Sequence, residues 1–197
     1  MRMKKFVLFL SIALTLTAIP VYAQDNGPAI ETLLNALNDP DYYIRLNTVE
    51  SLVKIGKPAV KPLIEMLKNE DPAVRMSTAE ILGKIGDVRA LRPLVSLLED
   101  EEAMVRIYAI NALGDLKSES AVKPLLRFVN DEDPAARKSL AEALGKIDDN
   151  MALKPLIKLL EDPNIGVRES AARALWEITK QDFGDDSLKW QEWFYKK

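Results

Sequence analysis

Apolar residues recur at intervals of three and four along most of this sequence, which is the spacing of amphipathic helices. In the segment 59–67 the recurring apolar residues are Val60, Leu63, Ile64 and Leu67. In the segment 74–85 the inward set is Val74, Thr78, Ala79, Leu82 and Ile85. Each set covers one face of a helix. The pattern therefore predicts an all-α chain built from pairs of amphipathic helices.

Acidic turns separate the two predicted helices of each pair. An aspartate followed by proline starts a helix well, because aspartate caps free N–H groups and proline fits the first helical position. This dipeptide occurs at Asp39-Pro40, Asp71-Pro72, Asp133-Pro134 and Asp162-Pro163. The first helix of the pair also contains a proline, for example Pro62. This proline falls in the first turn, where the backbone N–H groups have no intrahelical partner, so it removes no hydrogen bond. Each pair is therefore predicted to form a helical hairpin.

The hairpin pattern repeats with a fixed period. An arginine recurs at Arg45, Arg75, Arg106, Arg137 and Arg168, at steps of 30, 31, 31 and 31 residues. A proline recurs every 31 residues, at Pro62, Pro93, Pro124 and Pro155. A period between about 20 and 50 residues is typical of stacked repeat arrays, in which each unit contacts only its neighbours. The sequence therefore predicts an α-solenoid of about five helical hairpins.

Glycines mark the expected points of closest approach between the stacked helices. Gly83, Gly114 and Gly145 occupy the same position of three successive repeats. The first copy has Val53 there and the last has Trp176. We interpret these two exceptions as adaptations at the ends of the array, where a repeat has a neighbour on one side only.

The repeated elements resemble a known family. The motifs AVKPLI, DPxxR and ALGKIG are similar to those of bacterial HEAT repeats of the phycobilisome-lyase type and cover residues 28–180. The ending TKQDFGDDSLKWQEWFYKK resembles the Asp-rich turn and Trp-x-x-Trp-Trp motif that close many such arrays, with Phe194 in place of a tryptophan. The resemblance implies an armadillo-like helical solenoid, but it says little about function because this fold hosts many unrelated tasks.

The first 23 residues have the pattern of a secretory signal peptide. Arg2, Lys4 and Lys5 precede an apolar run of fourteen residues, and Ala23 ends a small-residue cleavage site. We expect a mature chain from Gln24 with a repeat domain over 28–180 and a capping segment over 181–197. A retained membrane anchor is the alternative, although the run is shorter than the roughly 20 residues that span a bilayer. The expected location is the periplasm or the extracellular space, without stable membrane insertion after cleavage.

Composition narrows the possible activities. Without the leader, 30 acidic and 24 basic residues give a net charge of −6, which does not favour nucleic acid as a partner. The chain has no histidine and no cysteine, so imidazole bases, thiol nucleophiles and ordinary zinc sites are excluded. Its acidic clusters fall at turns, where helix caps are the usual role, and none has the spacing of a calcium loop. We therefore expect no enzyme, no metal and no cofactor.

Two other groups of residues could serve either structure or binding. The recurring arginines could form an anion track, but they more simply reach carboxylates of their own or the adjacent repeat and tie the turns together. The aromatic residues of the C-terminal segment, Trp190, Trp193 and Phe194, share one helical face. They could stack a ligand, but the favoured interpretation is a lid over the last repeat, with Phe183 nearby.

The candidate interaction surface is the solvent side of the second helices, which we expect to line the inner curve. Its predicted partner-binding residues are Leu46, Glu50, Met76, Glu80, Ile107, Tyr108 and Asn111. Apolar side chains among acids could hold a basic-apolar helix or an extended peptide. The main hypothesis is a monomeric, exported scaffold that binds a protein or peptide on the concave face. The alternatives are an accessory protein related to bilin lyases that handles a chromophore or cofactor, and a structural envelope protein without a discrete ligand.

Overall fold

The computed structural model describes residues 26–196 of the protein, so the predicted leader over 1–23 lies outside it. Within this range the chain forms eleven α-helices, several short 3-10 segments and no strand, which confirms the predicted all-α class. No helix between residues 26 and 196 is both long and apolar enough to span a bilayer. The chain divides into two compact units, with the boundary between Ala59 and Val60.

The first unit contains α1 (Gly27–Ala36), α2 (Tyr42–Ile55) and a 3-10 turn (Lys57–Ala59). Helix α2 begins after Asp41, whose carboxylate accepts a hydrogen bond of 2.9 Å from the backbone N–H of Tyr43. It ends at Gly56, which has a φ of 70°, a value that glycine adopts without strain. Helix α1 packs against α2, and Leu33 and Leu52 are fully buried or nearly so.

The second unit contains four helical hairpins and a final helix. The first helices of the hairpins are α3 (Val60–Met66), α5 (Leu91–Leu97), α7 (Val122–Leu125) and α9 (Leu153–Leu159). The second helices are α4 (Pro72–Ile85), α6 (Ala103–Asp115), α8 (Pro134–Ile147) and α10 (Ile165–Thr179). The final helix is α11 (Ser187–Lys196). The longer second helices therefore alternate with shorter first helices, as the sequence pattern predicted.

The predicted Asp-Pro starts are correct for α4 and α8, where Asp71 and Asp133 cap the helix and proline is the first residue. The prediction was wrong by two residues at α2, which Asp41 caps instead of Asp39, and likewise at α10. Asn164 caps that helix, with its side-chain oxygen accepting from the N–H groups of Gly166 and Val167. The physical reason is that Asp39 and Asp162 lie six residues before the repeat arginine, two residues earlier than the cap positions that Asp71 and Asp133 occupy. The carboxylate of Asp162 binds Arg137 of the neighbouring repeat instead.

Neighbouring second helices of this unit approach one another at the glycine positions. A Cβ atom built on Gly83 would lie 2.7 Å from the Cα of Ala112, and one built on Gly114 would lie 2.7 Å from the Cα of Ala143. Any side chain larger than hydrogen would therefore collide with backbone atoms. This confirms the sequence-based interpretation that these glycines permit the closest approach of stacked helices.

The fourth repeat departs from the pattern of its neighbours. Helix α7 has only four residues, and the chain continues as a 3-10 helix over Leu126–Asn130. Phe128 occupies the position that Leu97 and Leu159 hold in the flanking repeats, and its ring is buried. The first-helix layer is thus irregular at this repeat, whereas the second-helix layer is continuous from α4 to α10.

The C-terminal aromatic segment forms the predicted cap. Helix α11 packs against α9, and the side chain of Trp190 is fully buried. The Trp190 ring meets Phe183 edge-on at 4.9 Å between centroids, and its indole N–H donates to the carbonyl oxygen of Gly184 at 2.9 Å. Buried tryptophan normally satisfies its N–H in this way. The lid therefore covers the first-helix layer of the last repeat.

Candidate functional site

The recurring arginines have a structural role at the end of each first helix. In every copy the Nη1 group donates to the carbonyl oxygens six and five residues earlier. In Arg75, for example, it donates to Asn69 at 2.8 Å and to Glu70 at 3.0 Å. The same pair of bonds is made by Arg45, Arg106, Arg137 and Arg168. Because these carbonyls have no intrahelical partner, the guanidinium caps the helix and fixes the turn.

Two of the arginines also bind a carboxylate of the next repeat. Arg75 meets Asp100 through two hydrogen bonds of 2.8 and 2.9 Å, and Arg137 meets Asp162 through two of 2.6 and 2.9 Å. The side chains are only 6–12% exposed. Burial alone would raise the pKa of Asp100, but hydrogen bonds from Arg75 and from the N–H of Glu102 outweigh it and hold the pKa below its usual value. The hydrogen bonds from Arg137 lower the pKa of Asp162 for the same reason.

Acidification is expected to remove this stabilisation. A carboxylate with a lower pKa in the folded chain contributes stability that is fully present above the unfolded-state pKa, about 3.9 for aspartate. That contribution is lost as the pH falls through the lower, folded-state value. The melting temperature should therefore begin to fall below about pH 4, and the double substitution Asp100→Asn with Asp162→Asn should flatten this part of the profile. If the melting temperature of the double variant fell with pH in the same way as that of the wild type, the two ion pairs would not be the source of the acid sensitivity.

Arg106 differs from Arg75 and Arg137, because it lacks the ion pair with the next repeat. Arg106 makes no ion pair with any residue between 26 and 196, although Asp131 holds the place that Asp100 and Asp162 hold in the flanking repeats. The carboxylate of Asp131 instead accepts from the backbone N–H of Asp133 at 2.9 Å. The predicted ion pair between the turns of adjacent repeats is thus confirmed for Arg75 and for Arg137 and is absent for Arg106, which lies between them. We call each boundary between adjacent repeats a seam.

The predicted partner-binding residues divide between the two units. Leu46, which is 42% exposed, and Glu50 lie on α2 in the first unit. In the second unit Met76 and Glu80 lie on α4, and Tyr108 and Asn111 lie on α6, all four half-buried. We call these four residues the second-helix face. The hydroxyl of Tyr108 and the amide of Asn111 form no hydrogen bond with the rest of the described chain.

The prediction for Ile107 was wrong, because its side chain is 7% exposed and belongs to the core. Ile107 lies seven residues before Gly114, so both residues share one stripe of α6. Gly114 contacts Ala143 on α8, which shows that this stripe faces the next second helix. The sequence pattern places Ile107 outside its own hairpin, and the neighbouring repeat then covers it.

The charged residues around the second-helix face are already paired with one another. Glu80 meets Lys84 at 2.6 Å on α4. On the neighbouring helices Lys146 meets Asp115 at 2.7 Å, and Lys138 lies 3.8 Å from Glu142. Exposed pairs of this kind contribute little stability, but they neutralise the local field. The carboxylates on this face are therefore less available to a basic partner than the sequence suggested.

No group of three or more acidic residues between residues 26 and 196 is placed to hold a metal ion. The acidic pairs at turns serve as caps, as when Asp149 accepts from the N–H of Met151 and Asp131 accepts from that of Asp133.

Comparison with known families agrees with this architecture. A family model of HEAT repeats matches residues 30–106 and 91–176. The chain belongs to the HEAT repeat family. No curated protein matched the chain in a sequence comparison.

Several solved structures resemble this HEAT repeat protein. The complex of CpcE and CpcF of phycocyanin lyase from Nostoc sp. PCC7120 is 25% identical, with a TM-score of 0.65 over 91% of this chain and 74% of that chain. The E. coli protein YibA is 26% identical, with a TM-score of 0.66 over 85% of this chain and 67% of that chain. A designed armadillo repeat protein in complex with the peptide (KR)4 is 20% identical, with a TM-score of 0.54 over 83% and 90% of the two chains. The last similarity shows the fold alone.

Proposed function

We propose that this HEAT repeat protein is a non-enzymatic, exported scaffold that binds a protein or peptide segment on its second-helix face. The observation that carries the proposal is the pair of unpartnered polar groups on α6, the hydroxyl of Tyr108 and the amide of Asn111, with Met76 half-buried on the neighbouring helix α4. A partner segment can bond to both groups while it covers the thioether. Export to the periplasm or the medium, as a monomer, is part of the proposal and rests on the leader pattern of residues 1–23.

The fold supports binding rather than catalysis. Stacked repeats create an extended concave surface of the kind that binds partners. The similarity to the CpcE–CpcF complex supports a role in contact with another protein, since that structure is itself a complex of two chains. The neutralised charges around Met76 and Tyr108 favour a partner segment that is apolar and hydrogen-bonding rather than strongly basic.

We expect the substitutions Met76→Ser and Tyr108→Ser to weaken partner binding at least tenfold together, because truncating central interface residues removes most of the affinity. Ile107 is left unchanged, since it is buried and its loss would damage the fold. A photo-crosslinking amino acid at Asn111 would first identify the partner in the native host. Titration of the purified partner against both proteins would then give the ratio of affinities.

The control variant is Lys123→Ala, which changes an exposed residue of α7 in the first-helix layer. Circular dichroism should show equal helicity in all variants. Equal affinity in the Met76 and Tyr108 variant and in the wild type would refute the assignment of this face. So would a crosslinking position at Lys123 that captures the same partner as Asn111.

A second candidate is an accessory role related to bilin lyases, and the similarity to the CpcE–CpcF structure favours it. In this case the second-helix face would contact a chromophore or its acceptor protein. Titration with a linear tetrapyrrole tests the idea directly, because binding to a protein surface changes the absorbance of the pigment. A flat titration would eliminate this candidate and leave the scaffold proposal intact.

A further inference from the structure

Each second helix of the second unit has one stripe of residues that faces the next repeat. It contains the residues one, five and eight positions after the repeat arginine, which we call the stacking stripe. Its members are Met76, Glu80 and Gly83 on α4; Ile107, Asn111 and Gly114 on α6; Lys138, Glu142 and Gly145 on α8; and Glu169, Arg173 and Trp176 on α10. The glycine of each of the first three stripes contacts an alanine of the following helix. This stripe is therefore the surface on which the chain receives a helix.

The stacking stripe of α10 remains open. Trp176 is 48% exposed, and Glu169 and Arg173 are exposed as well. The capping helix does not change this, because α11 packs against α9 in the first-helix layer. The lid predicted from the aromatic residues thus seals one layer of the last repeat and leaves the other accessible.

The stacking stripe of α10 has a different composition from the stripes of α4, α6 and α8. Trp176 stands where the three preceding helices have glycine, so a helix cannot approach as closely as Ala112 approaches Gly83. The indole N–H of Trp176 and the guanidinium of Arg173 have no partner in the described part of the chain. Tryptophan and arginine are the residues most enriched among those that dominate interface energies. An incoming helix must therefore rest on the indole rather than on the backbone.

The local charge selects the partner. The ammonium of Lys180 lies 5.1 Å from the centre of the Trp176 ring and donates to the carbonyl oxygen of Glu177, and the exposed Arg173 lies three residues before Trp176 on α10. Helix α10 ends at Thr179 and Lys180 is its left-handed C-cap, so six residues of helix and one cap residue, about 10 Å along the axis, separate Arg173 from Lys180. Glu177 does not neutralise this pair, since its carboxylate is turned toward α8, where a Cβ on Gly145 would lie 2.5 Å from its Oε2. Two cations, three residues before and four residues after Trp176, therefore accompany an exposed aromatic ring, and Glu169 is the one exposed carboxylate among the described members of the same stripe.

We propose that the stacking stripe of α10 is a docking surface for an acidic amphipathic helix of a partner protein. Two carboxylates of that helix, seven residues apart, meet Arg173 and Lys180, and an apolar residue between them covers the Trp176 ring. The site is separate from the second-helix face, and it continues the helix-on-helix packing of the inner seams with a partner in place of the next repeat. A second copy of this chain is disfavoured as occupant, because Trp176 blocks the glycine-to-alanine contact on which its own helices stack.

The test uses a labelled, alanine-rich synthetic helix with glutamates at positions i and i+7 and a leucine between them. A matched peptide has lysines at the two glutamate positions. Fluorescence anisotropy with the purified protein should show binding of the glutamate peptide, weakened by salt, and at least tenfold weaker binding of the lysine peptide. Arg173→Glu and Trp176→Ala should each reduce the affinity for the glutamate peptide at least tenfold.

The control is Arg92→Glu, which makes the same charge change at an exposed arginine of α5 that has no ion pair. It should leave binding unchanged, as should the Met76 and Tyr108 substitutions, which separates this site from the proposed second-helix face. Equal binding of the two peptides, or unchanged binding by Arg173→Glu, would overturn the proposal. Concentration-dependent self-association that Trp176→Ala abolishes, measured by sedimentation, would assign the stripe to a second copy and also overturn it.

Discussion

The substitution Arg137→Ala is expected to lower the free energy of unfolding by about 2–4 kcal/mol, because it leaves the carboxylate of Asp162 buried without its cation. The side chains of Arg137 and Asp162 are 12% and 6% exposed, so water cannot replace the lost hydrogen bonds. The change also frees the carbonyl oxygens of Asp131 and Glu132, which Arg137 caps. Urea unfolding followed by circular dichroism at 222 nm measures the effect.

The chain contains a matched control for this experiment. Asp131 occupies in the fourth repeat the position of Asp162 in the fifth, but it binds no arginine. Asp162→Asn should therefore destabilise the protein far more than Asp131→Asn. A double-mutant cycle should give strong coupling between Arg137 and Asp162 and none between Arg106 and Asp131. Equal losses at Asp131 and Asp162 would show that the ion pair is not what stabilises the seam.

The missing ion pair at Arg106 shows how far the repeat pattern predicts side-chain contacts. The period correctly places all five arginines at the end of a first helix, because the backbone carbonyls they cap are set by the hairpin itself. The carboxylate contact depends on the exact path of the next turn. In the fourth repeat that turn follows a 3-10 segment rather than a regular helix, and Arg106 and Asp131 do not meet. The sequence after the aspartate is Glu-Asp-Pro at Asp131 and Pro-Asn at Asp162, but Asp100 pairs although Glu-Glu follows it, so this difference does not predict the contact.

Exposure was the less predictable property of the candidate site. Helical periodicity identifies which side of a helix faces its own hairpin partner, and on that basis Ile107 and Tyr108 both belong to the outer side. The stacking of the next helix then buries Ile107, with 7% exposed, while Tyr108 stays half-buried. A single sequence does not contain the angle between successive repeats, so it cannot assign residues at the edge of a seam. The surface available for binding is narrower than the pattern suggested.

The C-terminal cap was predictable in one respect and not in another. The burial of Trp190 was predictable from the helical spacing of Trp190, Trp193 and Phe194, and Phe183, in the turn before α11, contacts its ring. The choice of α9 rather than α10 as the covered helix does not follow from that spacing. That choice depends on the path of the turn between Lys180 and Asp186. Because α11 packs on α9, the Trp176 side chain stays exposed instead of being covered by the cap.

Gly114→Ala is expected to destabilise the protein by about 2 kcal/mol or more, which is the reverse of the effect that helix propensity predicts. In an unhindered helix the same change stabilises by roughly 0.5–1 kcal/mol. Here the new Cβ would lie 2.7 Å from the Cα of Ala143 and 2.9 Å from its Cβ, so α6 and α8 must separate. Overpacking of this kind costs about 1–3 kcal/mol, and more when backbone atoms have to move. The sign of the change in the urea midpoint therefore decides between the two effects.

Two further variants identify the atoms responsible. Gly145→Ala should cost less than Gly114→Ala, because the first atom it meets is the mobile carboxylate of Glu177 and the Cα of Ala174 is 3.1 Å away. The double variant with Gly114→Ala and Ala143→Gly should remain destabilised, since removing the Ala143 methyl leaves its Cα in place. A full recovery in that double variant would mean that side chains, and not backbones, set the distance between stacked repeats. A stabilised Gly114→Ala variant would mean that the helices do not approach this closely at all.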